Sequence, residues 1–280
     1  MDVEHLEIPV GELIFDARAA GPDDGELVLL LHGFPQSSLE WRSQLAALGK
    51  AGYRAVAPDQ RGYSPRARPD GVENYAIEHL VADTIAIADW LGGHQFHLVG
   101  HDWGAAVAWA VAGTHPERLR TLSIVSVPHP KAFAKALKGQ DQRDRSSYID
   151  LFRQEGKAEE VLLSNDGAAL RGILTGTGSP EEVEEYVRLH TQPGVLTAAL
   201  NWYRAMQPGL VGDIGDIVTP TMFVWSTDDI ALGREGAEDT VNYVKGPYRF
   251  EVLEGVSHWV PEEAAGELDR LLLEHLSSAA

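Results

Sequence analysis

Short apolar segments alternate along the chain with longer segments whose apolar residues recur every three or four positions. The first apolar segment, Leu27–Leu31, contains no polar residue, which is typical of a strand covered on both faces. Helical spacing in residues 77–91, followed by Gly92-Gly93, predicts a helix that ends there. Further strand-like runs lie at 53–57, 96–99, 122–125, 222–225 and 250–253, and a second helical pattern covers 268–276. This alternation predicts an α/β fold with a mostly parallel central sheet flanked by helices.

Two regions depart from this alternation. Residues 3–19 contain two strand-like runs around a Pro-Val-Gly-Glu turn, which predicts an antiparallel hairpin. Residues 128–217 are rich in glutamate and in helical spacing, without a strong strand run. We therefore expect a helical lid (cap) at 128–217, inserted into a core formed by residues 1–127 and 218–280. A second helical domain without a catalytic part is the alternative.

Charge and composition narrow the range of partners. The chain has 23 Lys plus Arg against 42 Asp plus Glu, a net charge of −19, and no clustered basic stripe, which disfavours nucleic acid, membrane surfaces and anionic substrates. Without cysteine, it forms neither a disulfide nor a thiolate metal site. The N-terminus lacks the pattern of a signal peptide, and no apolar run has the length of a membrane span. We expect a cytoplasmic protein; the oligomeric state, including a homodimer, is left open.

The segment Gly100-His101-Asp102-Trp103-Gly104 places a carboxylate where many hydrolases have a nucleophilic serine. It lies between a strand-like run and a helical run, as the nucleophile elbow requires, and its small end residues let the turn bend sharply. A carboxylate in this position can attack carbon and form an ester. Asp102 is therefore the candidate nucleophile, with a helix N-cap as the alternative role.

The helpers that such a nucleophile needs follow it in the expected order, acid and then base. Asp228 and Asp229 come directly after one strand-like run, and His258 lies in the loop after the next. Loops at strand ends are where sheets of this class collect their active residues. Asp229 would orient and stabilise His258, which would take a proton from water, and Asp228 is the alternative acid.

An ester intermediate develops negative charge on a carbonyl oxygen, so backbone N–H groups should point toward that oxygen. The turn His32-Gly33-Phe34-Pro35 follows the strand ending at Leu31, where one such donor is found in this type of fold. We expect the N–H groups of Phe34 and Trp103 to form the oxyanion hole. An ordinary turn is the alternative for a segment of this composition.

A set of short motifs extends over nearly the whole chain: His32–Pro35, Pro58–Ser64, Gly100–Gly104, Asp229 and Ser257–Trp259. In combination they resemble the α/β-hydrolase epoxide hydrolases and their haloalkane dehalogenase relatives. The resemblance implies an α/β-hydrolase fold with a lid. It also implies hydrolysis of a small apolar epoxide to a vicinal diol, without cofactor or metal.

Two segments of the predicted lid extend the resemblance. Epoxide hydrolases of this type carry two lid tyrosines whose hydroxyls hydrogen-bond to the epoxide oxygen. Asn201–Arg204 is similar to one of the tyrosine segments and Ser147–Glu155 to the other, which implies catalytic roles for Tyr203 and Tyr148. In isolation, both would be interpreted as packing aromatics. The residues implied to contact the substrate are Phe34, Trp103 and Trp202.

A haloalkane dehalogenase is the main alternative, because it would use the same triad. It would hold the departing halide with ring N–H groups, and Trp103 resembles one such donor. Phe34 occupies the position where the second donor is often an asparagine, which leaves Trp202. The paired tyrosines would then have no function, so epoxide hydrolysis is favoured. A serine esterase is disfavoured, because no Gly-x-Ser-x-Gly elbow follows a strand-like run in this chain. A non-enzymatic binding module is also disfavoured, because it would not need the nucleophile, acid, base and oxyanion turn together.

Overall fold

Eight strands form one sheet at the centre of the molecule. The computed structural model describes residues 3–206, 211–212 and 214–278; positions 207–210 and 213, within the predicted lid, and both chain ends lie outside the described residues. The strands are β1 (Glu4–Val10), β2 (Leu13–Ala20), β3 (Leu27–Leu31), β4 (Arg54–Pro58), β5 (Phe96–His101), β6 (Leu119–Val125), β7 (Thr221–Ser226) and β8 (Tyr248–Leu253). Their order is β1-β2-β4-β3-β5-β6-β7-β8. β2 pairs antiparallel with β1 and β4, and the other pairs are parallel, so the predicted hairpin and fold class are confirmed.

Twelve α-helices are present in the described part of the chain. They are α1 (Arg42–Lys50), α2 (Ile77–Trp90), α3 (Trp103–Thr114), α4 (Pro130–Ala136), α5 (Gln140–Arg145), α6 (Tyr148–Phe152), α7 (Lys157–Ile173), α8 (Pro180–Thr191), α9 (Val195–Ala205), α10 (Arg234–Asp239), α11 (Val260–Glu263) and α12 (Ala265–Ser277). Helix α2 ends just before Gly92-Gly93, as its spacing predicts.

Helices cover both faces of the sheet. Successive side chains of a strand point to opposite faces, so apolar residues on both faces are buried against helices. Along β3, Leu29 and Leu31 belong to a core cluster that includes residues of α2 and α3. Val28 and Leu30 belong to the opposite cluster, with residues of α1 and α12. All five residues of β3 are buried, which explains why this segment is solidly apolar.

The strand order reverses beside β3. The chain runs from β3 to β4 on one side and then continues with β5 on the other side of β3. The carboxyl ends of β3 and β5 therefore border a topological switch point, where open α/β sheets bind their ligands.

Six helices, α4 to α9, occupy the chain between β6 and β7, and the described residues of this stretch contain no strand. Helix α8 begins at a capping box: Ser179 Oγ accepts from the Glu182 N–H, and the Glu182 carboxylate accepts from the Ser179 N–H. Helix α7 is interrupted by a non-helical turn at Ser164–Gly167. The described part of this stretch is therefore helical and built from several separate helices.

Candidate active site

Asp102 forms the turn between β5 and α3. Its backbone has φ 49° and ψ −120°, a conformation that non-glycine residues adopt mainly in strained functional turns. Both flanking glycines are required, because a Cβ on Gly104 would lie 1.9 Å from the Leu31 oxygen and one on Gly100 would lie 2.3 Å from the Gly104 oxygen. The helix-cap interpretation is wrong: within the described chain, the Asp102 side chain makes no capping hydrogen bond to α3.

The turn after β3 reaches the Asp102 carboxylate. The Phe34 N–H donates to Asp102 Oδ1 at 2.8 Å. Gly33 allows this approach, because a Cβ there would lie 2.3 Å from the Asp102 Cβ. The other predicted backbone donor, Trp103, is the first residue of α3 and directly follows Asp102. The Phe34 donor therefore holds one carboxylate oxygen, and Asp102 Oδ2 faces His258.

His258 lies between two carboxylates. Its Nε2 is 3.5 Å from Asp102 Oδ2, and its Nδ1 donates to Asp229 Oδ2 at 2.8 Å. Asp229 is buried, and its Oδ1 accepts from the N–H groups of Ala231 and Leu232 at 2.8 and 2.9 Å. These bonds fix the carboxylate behind the imidazole, which is how the acid of a triad orients its histidine.

Asp228 and Asp229, neighbours in the loop after β7, make different contacts. Asp228 is exposed, and its Oδ1 accepts from the Thr227 hydroxyl at 3.3 Å. The His258 imidazole is bonded to Asp229 instead. The geometry thus favours Asp229 as the acid.

Tyr148 begins α6 and Tyr203 lies in α9, and their ring centroids are 6.3 Å apart. Tyr203 also packs edge-on against Phe34 and Trp103, with centroid separations of 5.7 and 5.2 Å. Burial, followed by the charge of Asp102, raises the pKa of both tyrosine hydroxyls well above the ordinary value of 10.0. Both phenols are therefore protonated at neutral pH and can donate a hydrogen bond.

A cavity of about 350 Å³, called the larger cavity below, connects these groups. The predicted site residues that line it are Asp102, His258, Tyr148, Tyr203 and Phe34. Most of the remaining wall is apolar and comes from α6 and α7: Leu151, Phe152, Val161, Leu162, Ala169 and Ile173. The candidate nucleophile, the candidate base and two protonated phenol hydroxyls therefore share one apolar pocket, the arrangement typical of a site for small molecules.

Comparison with known proteins agrees with this geometry. A sequence model of the alpha/beta hydrolase fold matches residues 26–265. The chain is 36% identical to the AB hydrolase superfamily protein YfhM of Bacillus subtilis, over 93% of each protein. It is also 36% identical to epoxide hydrolase 4 of Mus musculus, over 92% of this chain and 75% of that protein. An epoxide hydrolase structure from metagenomes of hot environments superimposes with a TM-score of 0.87, at 30% identity over 99% of both chains.

The chain belongs to the epoxide hydrolases of the alpha/beta hydrolase superfamily. The predicted family and the prediction of a hydrolase are thereby confirmed.

The remaining predicted residues of this hydrolase lie around the larger cavity. Asp229 is behind His258. Trp103 lines a second space of about 30 Å³, the smaller cavity, which also touches Asp102 and both tyrosines. Trp202 requires a correction, because it lines neither cavity among those described. Its indole N–H donates to the Arg61 carbonyl at 3.0 Å, and the side chain is buried, so the structure does not support a substrate contact.

Sequence reasoning missed the residues that hydrogen-bond to the backbone carbonyl of His258. The His258 carbonyl accepts from His101 Nε2 at 2.9 Å and from Ser126 Oγ at 3.2 Å. A carbonyl oxygen only accepts, so His101 carries a proton on Nε2. Glu40 is fully buried, and its Oε2 lies 3.3 Å from His101 Nδ1.

The protonation of this buried pair follows from its surroundings. Burial and the charge of Glu262 raise the pKa of Glu40 well above 4.5. Burial and the charge of His258 lower the pKa of His101 to about 3. The neutral Glu40 hydroxyl therefore donates to His101 Nδ1. His101 in turn donates to the His258 carbonyl and holds the His258 backbone in place. His101 stands inside the elbow motif, but Glu40 carries no sequence signal for this role.

The free site holds an ion pair. Burial raises the pKa of Asp102, but the hydrogen bond and charge of His258 outweigh burial and bring the pKa below 3.8. Burial lowers the pKa of His258, but the charge of Asp229 and the bond to Asp102 outweigh it and raise the pKa to about 10. At neutral pH, Asp102 is therefore an ionised nucleophile and His258 is an imidazolium.

This ion pair predicts a pH dependence of stability. The His258 pKa of about 10 exceeds its ordinary value of 6.5, so the folded protein binds this proton more tightly than the unfolded chain does. The resulting stabilisation is fully present below about pH 6.5 and is lost as the pH rises through about 10. We expect the Tm of the wild type to fall more steeply over this range than the Tm of His258→Gln. Thermal unfolding of both proteins in matched buffers measures the difference, and parallel curves would contradict the raised pKa.

Two further properties concern the described residues only. None of their helices combines the length and the hydrophobicity needed to cross a bilayer. They also contain no group of three or more His, Asp or Glu side chains arranged to hold a metal ion.

Proposed function

We propose that this hydrolase adds water to a small apolar epoxide and releases a vicinal diol, through an ester on Asp102. The observation that carries the proposal is that Tyr148 and Tyr203 line the same cavity as Asp102. Opening an epoxide leaves negative charge on its oxygen, so donors placed at that oxygen lower the barrier. Two protonated phenols can stabilise the oxygen while the carboxylate attacks a ring carbon.

In the first step, Asp102 Oδ2 attacks one ring carbon, and the bond from that carbon to the epoxide oxygen breaks. The released oxygen takes a proton from a tyrosine hydroxyl. The product is an ester whose carbonyl oxygen is Oδ1, the atom that already accepts from the Phe34 N–H. One donor of the oxyanion hole is therefore in place before the reaction begins, and the Trp103 N–H is the proposed second donor.

The ester changes the protonation of His258. Formation of the ester removes the Asp102 charge, which is one of the two charges that raise the His258 pKa. His258 can then return its proton to the tyrosinate and become a neutral base. It next takes a proton from water, whose oxygen attacks the ester carbon, while Asp229 stabilises the imidazolium. Collapse expels the diol oxygen, which takes the proton left on the Asp102 carboxyl, and the free site is restored.

We propose that residues 128–217 form a lid over a core of residues 1–127 and 218–280. Two observations support this division. Both tyrosines belong to helices of that stretch, and Leu151, Phe152, Val161 and Leu162 of the same stretch form the apolar wall of the larger cavity. The lid would therefore exclude water around the epoxide and supply the acid.

Parallel turnover assays with epoxides and haloalkanes test the proposal. We expect diol from styrene oxide and no halide from 1-chlorohexane or 1-bromohexane. A dehalogenase needs ring N–H donors for the halide, and the Trp202 N–H is already bound to the Arg61 carbonyl. Halide without diol would contradict epoxide hydrolysis and assign the triad to dehalogenation.

Loss of the tyrosine hydroxyls tests the acid role. Tyr148→Phe and Tyr203→Phe are each expected to lower kcat for styrene oxide by about 100-fold, and the double variant by about 1000-fold or more, because each removes a donor to the developing charge. Single-turnover kinetics locates the loss in ring opening.

The control is Tyr243→Phe, which removes a hydroxyl from a ring stacked on His129, outside both cavities. Its kcat should stay at the wild-type value. Full activity in the double variant would exclude the two phenols as acids.

A further inference from the structure

The two cavities beside Asp102 differ greatly in size. The larger cavity measures about 350 Å³ and the smaller about 30 Å³. They share four lining residues, namely Asp102, Tyr148, Tyr203 and Ala231. The nucleophile and both acids therefore stand at the junction of the two spaces.

This arrangement fixes how an epoxide can lie. Asp102 must reach a ring carbon while the tyrosine hydroxyls reach the ring oxygen. The substituents on the two ring carbons then extend away from the junction, one set into each cavity. At roughly 30 Å³ for each water-sized group in a liquid, the larger cavity of about 350 Å³ holds about a dozen such groups and the smaller cavity of about 30 Å³ holds about one.

Most side chains that line the smaller cavity are apolar. Val127 and Phe133 are buried, while Ile149 and Met206 are half-buried. A group too large for the available space is disfavoured by about 10- to 100-fold in a rate or binding constant. Hydrogen or methyl fits this cavity, whereas a ring does not.

The larger cavity selects an uncharged substituent. Apart from Asp102 and His258, Arg145 is the one charged side chain among the described residues that line it. The Arg145 guanidinium donates to the Asp229 carbonyl at 2.5 Å and to the Asp141 carboxylate at 2.9 Å, so its charge is balanced by Asp141. Ile230, which is 73% exposed, also lines this cavity and marks where it opens to solvent.

We infer that the substrates are epoxides with one large apolar alkyl or aryl substituent, whose other ring carbon carries only hydrogen or methyl. The inference rests on the proposed function and adds the substrate class. The large group occupies the larger cavity, and the less substituted carbon faces the smaller cavity.

A series of three epoxides tests how the substituent on the second ring carbon affects kcat/KM. Styrene oxide, trans-β-methylstyrene oxide and trans-stilbene oxide share one phenyl group, and the other carbon carries hydrogen, methyl or phenyl. We expect similar kcat/KM for the first two and a kcat/KM lower by about 100-fold for trans-stilbene oxide, measured as diol formation. Equal kcat/KM across the series would overturn the inference and leave the proposed function intact. Absence of diol from all three would overturn both.

Variants of the wall test the cause of the selection. Ile149→Ala enlarges the smaller cavity and is expected to raise the ratio of kcat/KM for trans-stilbene oxide to that for styrene oxide by about tenfold. Val161→Trp narrows the larger cavity. It should lower kcat/KM for 1,2-epoxydecane much more than for 1,2-epoxypropane.

The matched control is Leu163→Ala, a truncation in α7 at a position that lines neither cavity among those described. Its substrate ratios should equal those of the wild type. Thermal unfolding confirms that each variant is folded. An unchanged ratio in Ile149→Ala, with a folded protein, would show that the smaller cavity does not select the substrate.

Discussion

Replacing Asp102 with alanine is expected to lower diol formation by about 10⁵-fold or more, because the carboxylate that forms the ester is lost. The residual hydrogen-bond donors cannot replace a missing nucleophile. The measurement is the rate of diol release from styrene oxide at high enzyme concentration. In ¹⁸O-labelled water, a single turnover of the wild type should place the label in the Asp102 carboxylate, since water attacks the ester carbon.

The special backbone of Asp102 affects the design of this test. Its φ of 49° strains most side chains, so alanine carries a folding cost there. Asp102→Asn tolerates this conformation better and should be equally inactive while folded. Asp228→Ala removes an exposed carboxylate one residue from the triad acid and should keep wild-type activity. Turnover by a folded Asp102→Asn protein would exclude Asp102 as the nucleophile, provided that mass spectrometry shows the amide intact.

The sheet and the sharp turn at Asp102 could be predicted because close packing restricts the residue type at particular positions of both. Leu27–Leu31 is solidly apolar because both of its faces are buried. Gly100 and Gly104 flank Asp102 because the backbone passes too close for a Cβ. A constraint that allows only one class of residue at a position is visible in the sequence, even where a distant part of the chain imposes it.

Side-chain direction in the inserted helices could not be predicted in this way. Trp202 and Tyr203 are adjacent in α9, where successive side chains differ in direction by about 100°. Tyr203 faces the larger cavity, whereas Trp202 points to the Arg61 carbonyl. The difference depends on how α9 is rotated against the core, and neither residue type specifies that rotation.

Contacts between site residues that lie far apart in the sequence could not be predicted either. Asp228 and Asp229 follow the same strand, and only the bonds from Ala231 and Leu232 turn the second carboxylate toward the histidine. Glu40 is an isolated acidic residue in the sequence, yet it is fully buried beside the elbow. The sequence indicates which loops meet, while the fold decides which side chain in each loop is used.

In the proposed mechanism, the charges of Asp102 and His258 separate the two chemical steps. Asp102 and His258 stabilise each other's charged forms in the free enzyme, so the carboxylate is ready to attack and the imidazole is not yet a base. Ester formation removes the Asp102 charge and lowers the His258 pKa, which makes the imidazole a base only when there is an ester to hydrolyse. In the proposed mechanism the imidazole takes a proton from water only in the second step, so a variant without it should still form the ester, more slowly to the extent that loss of the imidazolium raises the Asp102 pKa.

Replacing His258 with alanine is expected to stop turnover after the ester has formed, with multiple-turnover rates lower by about 10⁴-fold or more. Intact-protein mass spectrometry after incubation with styrene oxide should show one adduct with the mass of the epoxide, and peptide mapping should place it on Asp102. His79→Gln, an exposed histidine of α2, is the matched control and should accumulate no adduct.

The fold should tolerate this substitution, because His101 and Ser126 bond the backbone carbonyl of residue 258 rather than its side chain. His258→Gln provides a second variant that fills the space between the two carboxylates. A folded variant that neither turns over nor forms the adduct, even at alkaline pH where Asp102 is ionised, would contradict the assignment of ring opening to Asp102 without the imidazole. A folded variant that turns over at the wild-type rate would remove His258 from the reaction. An adduct on Asp102 without release of diol would assign ring opening to Asp102 and hydrolysis of the ester to His258.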